Sequence, residues 1–225
     1  MAARADDGLD ISLKPVLGKT FVVLPAEPTP DRIIWPEYGK SVETYLGIDA
    51  FSNGTGSPES DWQCTELVHR FVSDVFGIPS RIGWGMGHGK DLAAGLVGYH
   101  KNRIGSSERL GDVRVRLEYF KSGSTVYPPV TGSIVSMYFN NRRAGFGHVG
   151  MIRQILSETE DEIVGVLFDQ HGFINNNYVG RQIQADHVVF RRDADGKWTG
   201  WVRPWRWPGE EYAATGWTTA VMAEH

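Results

Sequence analysis

Beyond Leu110 the chain is a succession of short β-rich runs, and no other feature constrains its fold as much. VRVRLEYF, GSIVSMYF, HVGMIRQIL, EIVGVLFDQ and HVVFRRD are rich in β-branched and aromatic residues, with Gly, Pro, Asn and Asp between them. WTGWVRPWRW alternates in the same manner. Upstream, residues 62–76 follow the other periodicity. Leu67, Val68, Phe71, Val72, Val75 and Phe76 recur at a spacing that makes one apolar helical face. Ser60 and Gln63 fit an S-x-x-Q capping box, and Gly77 followed by Pro79 is a stop signal. A weaker helix is expected over residues 90–100 and a short one near SVETYLG, residues 41–47. Helices followed by five or six strands, without regular alternation, indicate an α+β domain whose N-terminal helices pack on an antiparallel β-sheet.

The 225 residues suffice for one such domain with a decorated terminus. Residues 1–40 read as an N-terminal arm, since the prolines of AEPTPD forbid regular pairing. Residues 41–210 hold the domain, and residues 211–225 read as a C-terminal tail. A net charge of -4 and a pI near 6.0 give no global attraction to nucleic acid or to an anionic membrane. No apolar run approaches the roughly 18 to 20 residues of a spanning helix, so membrane insertion is not expected. The first residues, MAARADDGLDISLKP, lack the basic and then apolar layout of a secretory signal. A monomer is the expectation.

There is one cysteine, so neither an internal disulfide nor a multi-cysteine zinc site is available. A lone cysteine can be no more than a small buried hydrophobe. Position argues for more. Cys64 falls in the first turn of the expected helix, where unpaired amide hydrogens and the macrodipole stabilise a thiolate. The Cys64 amide is also suited to hold the oxyanion of a tetrahedral intermediate.

Such a thiolate needs a base. Among seven histidines, His69 lies along the same helix, pointing away from Cys64, and reads as a surface residue. His88, in a glycine-rich loop, and His100, at a helix end, suit solvated roles, and His225 is the terminus. His148 differs, because it opens a β-run directly after Gly145, Phe146 and Gly147, where small residues permit close backbone approach. The next run ends in Phe168-Asp169-Gln170-His171-Gly172. If the two runs form a hairpin, Asp169 can accept the second imidazole N–H and hold the ring in the useful tautomer. Asp169 also fits the plainer role of a carboxylate starting a turn.

At these residues the chain resembles the CHAP family of cysteine, histidine-dependent amidohydrolases and peptidases. QCTELVHRF, GSIVSM, GHVGMI and LFDQHGF carry the likeness, which covers roughly residues 45–175. In that family a cysteine opens a helix, a GD-like turn enters a strand, a GHV segment carries the histidine, and an E-x-N-like segment ends the next strand. The resemblance implies Cys64 as nucleophile, His148 as base and Asp169 as orienting carboxylate, where the family commonly has glutamate. Gln170 and His171 are auxiliary candidates for that third role. His171 stands where the family often has asparagine, and Ser133 where the GD turn has aspartate. The resemblance also implies a papain-like fold and cleavage of peptidoglycan amides, at muramoyl–alanine links or stem-peptide bridges. A related branch hydrolyses glutathionylspermidine. The chemistry requires no metal or cofactor. A wall substrate implies action after export or release from the cytoplasm.

GWGMGHGKD is not a phosphate loop, because Trp84 and Asp91 occupy the places of the first glycine and the Ser/Thr. It reads as a loop bordering the cleft, with Trp84, like Trp62 beside Cys64, a candidate substrate contact. Trp201, Arg203, Trp205 and Trp207 alternate and suit either sheet packing or an aromatic platform. Two readings from other classes remain. His148, Asp169 and His171 together make a two-histidine, one-carboxylate ligand set, in an order opposite to the usual one. A catalytically dead binding module would have an unreactive Cys64.

Overall fold

The computed structural model describes residues 39–51, 63–80, 88–106, 108–138, 146–170, 178–179, 182–183, 186–203 and 212–223. The arm expected over residues 1–40 lies almost wholly outside them. In chain order the strands are β1 Ser41–Tyr45, β2 Ile48–Phe51, β3 Gly105–Ser106, β4 Arg114–Lys121, β5 Ile134–Tyr138, β6 His148–Glu158 and β7 Glu162–Asp169. They continue as β8 Tyr178–Val179, β9 Gln182–Ile183, β10 His187–Arg192, β11 Trp198–Arg203 and β12 Tyr212–Met222. The two α-helices among the described residues are α1, Cys64–Phe76, and α2, Leu92–Tyr99.

The six β-rich runs read from the sequence become β4, β5, β6, β7, β10 and β11. Their arrangement overturns the papain-like α+β expectation. Strands β12, β5, β6, β7, β10 and β11 pair antiparallel in that order, and β11 pairs again with β12 through Trp201↔Ala213 and Val202↔Tyr212. The result is a closed six-stranded barrel in a mostly β protein, with β4 and β3 extending outward from β12. Closure follows from strand twist and removes the exposed edges that an open sheet would leave.

β12 makes the closure possible. Residues 212–222, taken from the sequence as part of a tail, pair with β5 over 213–218 and with β4 over 216–222. Tyr212, Thr215, Trp217, Thr218, Thr219 and Val221 favour a strand, but the alanines and Gly216 among them break the alternation, so its pairing is set by its partners.

A closed barrel has two faces to fill, and alternation along each strand divides them. Val135, Met137, Ile152, Leu167, Val188, Phe190, Val202 and Trp217 pack together as one cluster. Ile134, Val149, Met151, Phe168 and Ala220, on the opposite faces of the same strands, pack with the helices. There Leu67, Val68, Phe71, Val72, Val75 and Phe76 of α1 are all fully buried, so the helix docks by the apolar face its periodicity defines. α1 lies on β6 and β2, and α2 on β4, β5 and β12.

The helix starts differ from expectation. α1 begins at Cys64 with Gln63 as its N-cap, and Gln63 makes no side-chain capping bond. The S-x-x-Q box therefore does not form as read, and Ser60 lies outside the described residues. Gly77 does end α1, as a left-handed C-cap. The short helix expected near SVETYLG is instead a hairpin of β1 and β2. Leu46 and Gly47 both adopt positive φ, the pairing a tight two-residue turn demands, and Tyr45, Ile48 and Ala50 are buried.

Candidate active site

His148 and Asp169 belong to neighbouring strands of one hairpin. Strands β6 and β7 pair with Gly150 opposite Asp169, so Asp169 and His148 are diagonal neighbours on one face. His148 Nε2 lies 2.9 Å from Asp169 Oδ2, and the two side chains are 4% and 0% exposed. An ionised carboxylate can only accept, so Nε2 carries the proton and Nδ1 is the basic nitrogen. Gly150 makes room for this contact, since a Cβ there would stand 2.9 Å from the Asp169 Cβ.

The start of β6 is held by a second close approach. Gly147 has φ +60, and a Cβ on it would fall 2.4 Å from both the Lys90 Cβ and the Met137 carbonyl oxygen. Gly89 lies against the His148 backbone in the same way. Lys90 N–H donates to the Phe146 carbonyl at 3.1 Å, and the His88 and Phe146 rings meet edge to face at 4.7 Å. Thr215 of β12 then donates to the Lys90 carbonyl at 2.6 Å. The end of the glycine-rich loop is thus fastened over His148, and His88 is exposed, as the sequence suggested, with its ring against that of Phe146.

Cys64 is the first residue of α1, half-buried against the cluster that joins helix and barrel. Its helix meets β6, the strand that His148 opens. Gln170, offered by the sequence as an alternative partner of His148, does something else. Its carboxamide bonds Phe51 of β2 and the first turn of α1, at Gln63 and Glu66. Asp169 alone of the two bonds the imidazole. Trp62, Trp84 and His171 lie outside the described residues, as do Trp205 and Trp207. Trp201 is half-buried beneath the Arg191 guanidinium, 5.7 Å from its ring centre.

Beside Asp169 is Arg153, whose guanidinium pairs with the buried carboxylate of Glu43. Burial pulls the Arg153 pKa down, and the negative charge of Asp169 opposes that shift. No sequence signal singled out Arg153, because its role depends on β1 and β7 meeting at β6. Ser133, in the place of the turn aspartate, accepts the Val130 N–H at 2.9 Å and meets Thr219 of β12 at 2.8 Å. A serine hydroxyl closes that turn as a short carboxylate would.

His69 and His100 correct the sequence reading outright, since both are buried rather than solvated. His69 Nδ1 is 2.7 Å, and His100 Nε2 3.0 Å, from the Ser80 hydroxyl between them. Burial and the neighbouring His100 hold the His69 pKa down at about 4, and burial followed by Arg103 lowers that of His100. Among the described residues no group of three or more His, Cys, Asp or Glu is placed to hold a metal ion. No helix among them is long and apolar enough to cross a membrane. Comparison of the chain with protein-family models and with curated proteins found no match.

Proposed function

We propose that the protein is a cysteine-dependent amide hydrolase of bacterial peptidoglycan, with Cys64 as nucleophile, His148 as base and Asp169 as the group that orients the base. The observation that carries this reading is the buried 2.9 Å bond from His148 Nε2 to Asp169 Oδ2. A buried imidazole held by a carboxylate has one nitrogen committed to orientation and the other disposed toward proton transfer. The lone cysteine at the start of a helix packed on the same strand supplies a thiol suited to ionisation. The likeness of QCTELVHRF and GHVGMI to CHAP segments supplies the substrate class.

In this mechanism Nδ1 of His148 takes the Cys64 proton, and the thiolate attacks the amide carbonyl carbon. Amides at the start of α1 hold the oxyanion. The C–N bond breaks as His148 returns its proton to the leaving amine, leaving a thioester on Cys64. Water, deprotonated by the same nitrogen, releases the acid and restores the thiol.

The test is mass spectrometry of peptidoglycan digested by the native protein and by Cys64→Ala. New muropeptide ends from the native protein alone are the expected result, and their masses name the bond. A reactive Cys64 with no wall cleavage would transfer the same chemistry to a soluble amide such as glutathionylspermidine. An inert Cys64 with no cleavage would overturn the hydrolase.

A further inference from the structure

Gln170 follows Asp169 at the end of β7 and is 3% exposed. Its Oε1 accepts the Phe51 N–H at 2.6 Å. Its Nε2 donates to the Gln63 carbonyl at 3.1 Å and to Glu66 Oε2 at 3.1 Å. That Gln63 oxygen also accepts the Leu67 N–H at 3.2 Å, the bond that closes the first turn around Cys64. Glu66 is held in turn by Arg70, through Nε at 2.7 Å and Nη2 at 3.1 Å. Arg70 Nη1 then donates to the Asp49 carbonyl of β2 at 2.6 Å.

The side chain required here must accept one N–H and donate to both a carbonyl and a carboxylate. Only a carboxamide does this, and asparagine is one methylene too short for the same reach. We propose that Gln170 is a positioning residue: it locks the first turn of α1 to the end of β7 and so fixes Cys64 relative to the His148–Asp169 pair. The inference rests on the thiol chemistry proposed above. One backbone step separates the carboxylate that orients the imidazole from the amide that places the thiol. Displacement of about 1 Å between reacting groups costs on the order of 100-fold in rate, so this link bears directly on the chemistry.

The single cysteine makes the test clean, because thiol alkylation reports on Cys64 alone. Iodoacetamide labelling of the native protein from pH 4 to 10 should retain a reactive limb below the range of an ordinary thiol, about pH 8.5. Gln170→Leu should lower that limb at least 10-fold and move the profile toward the ordinary thiol. On substrate, kcat should fall with little change in KM. Gln170→Asn keeps a polar group at the buried site and should shift the profile in the same direction, which preserves the test if the leucine variant does not fold. A perturbed native profile left unmoved by either folded variant would overturn the role of Gln170 alone. A native profile of an ordinary thiol would overturn the hydrolase reading itself.

Discussion

His148 and Asp169 are joined by a 2.9 Å hydrogen bond between side chains that are almost wholly buried, although they lie 21 residues apart. Antiparallel pairing of β6 with β7, and the missing side chain of Gly150, make the diagonal contact possible. The bond commits one ring nitrogen, and on the hydrolase reading proposed above the other is the base.

Removal of Asp169 should therefore act on both fold and chemistry. Asp169→Ala leaves a buried N–H without its acceptor, at a cost of about 1–3 kcal/mol in a urea titration. On the proposed substrate it should lower kcat on the order of 10²- to 10⁴-fold, while Cys64→Ala abolishes turnover and spares stability. Equal turnover by Asp169→Ala and the native protein would dismiss the orienting role.

The His69–Ser80–His100 joint should make the fold sensitive to acid. Ser80 can donate to one ring and accept from the other, so neither ring can take a second proton without a new buried donor. The His69 pKa is about 4 in the folded protein against an ordinary 6.5, so the unfolded chain binds more protons between those values. Stability is then complete above pH 6.5 and falls as pH drops toward 4, by roughly 3 kcal/mol from His69. Urea midpoints at pH 7.5 and 4.5 should differ more for the native protein than for His69→Gln. Parallel losses would refute the assignment.

Chains ending at residue 210 should not fold. Loss of β12 removes the partner of β4, β5 and β11 together and reopens the barrel. Circular dichroism should show no cooperative thermal transition. A truncated chain that melted cooperatively would mean that β12 is dispensable.

Trp217 fills one side of β12, fully buried, in T-shaped contact with Phe190 at 5.2 Å and stacked on Phe120 at 6.0 Å. Trp217→Ala should destabilise the fold by about 3–5 kcal/mol, through lost burial and the cavity left behind. Denaturant titration at neutral pH measures this, and a loss under 1 kcal/mol would show the site collapsing freely.

Local periodicity alone determined a good part of this protein. Six β-runs and the apolar face of α1 are written in spacings of two or about four residues, while the Gly77 stop and the place of Cys64 in the first turn follow from residue type and position. His148 and Asp169 were also legible, because one opens a recognisable run directly after Gly147 and the other closes the next run. Tertiary structure decided the rest. The sheet closes because Ala213 and Tyr212 meet β11, a pairing between residues that nothing in the local sequence of β12 specifies. His69 and His100 are buried because Ser80 joins them, and Gln170 turns to Gln63 across 107 positions. Such contacts arise between residues distant in sequence, and they form only once the barrel has brought those residues together.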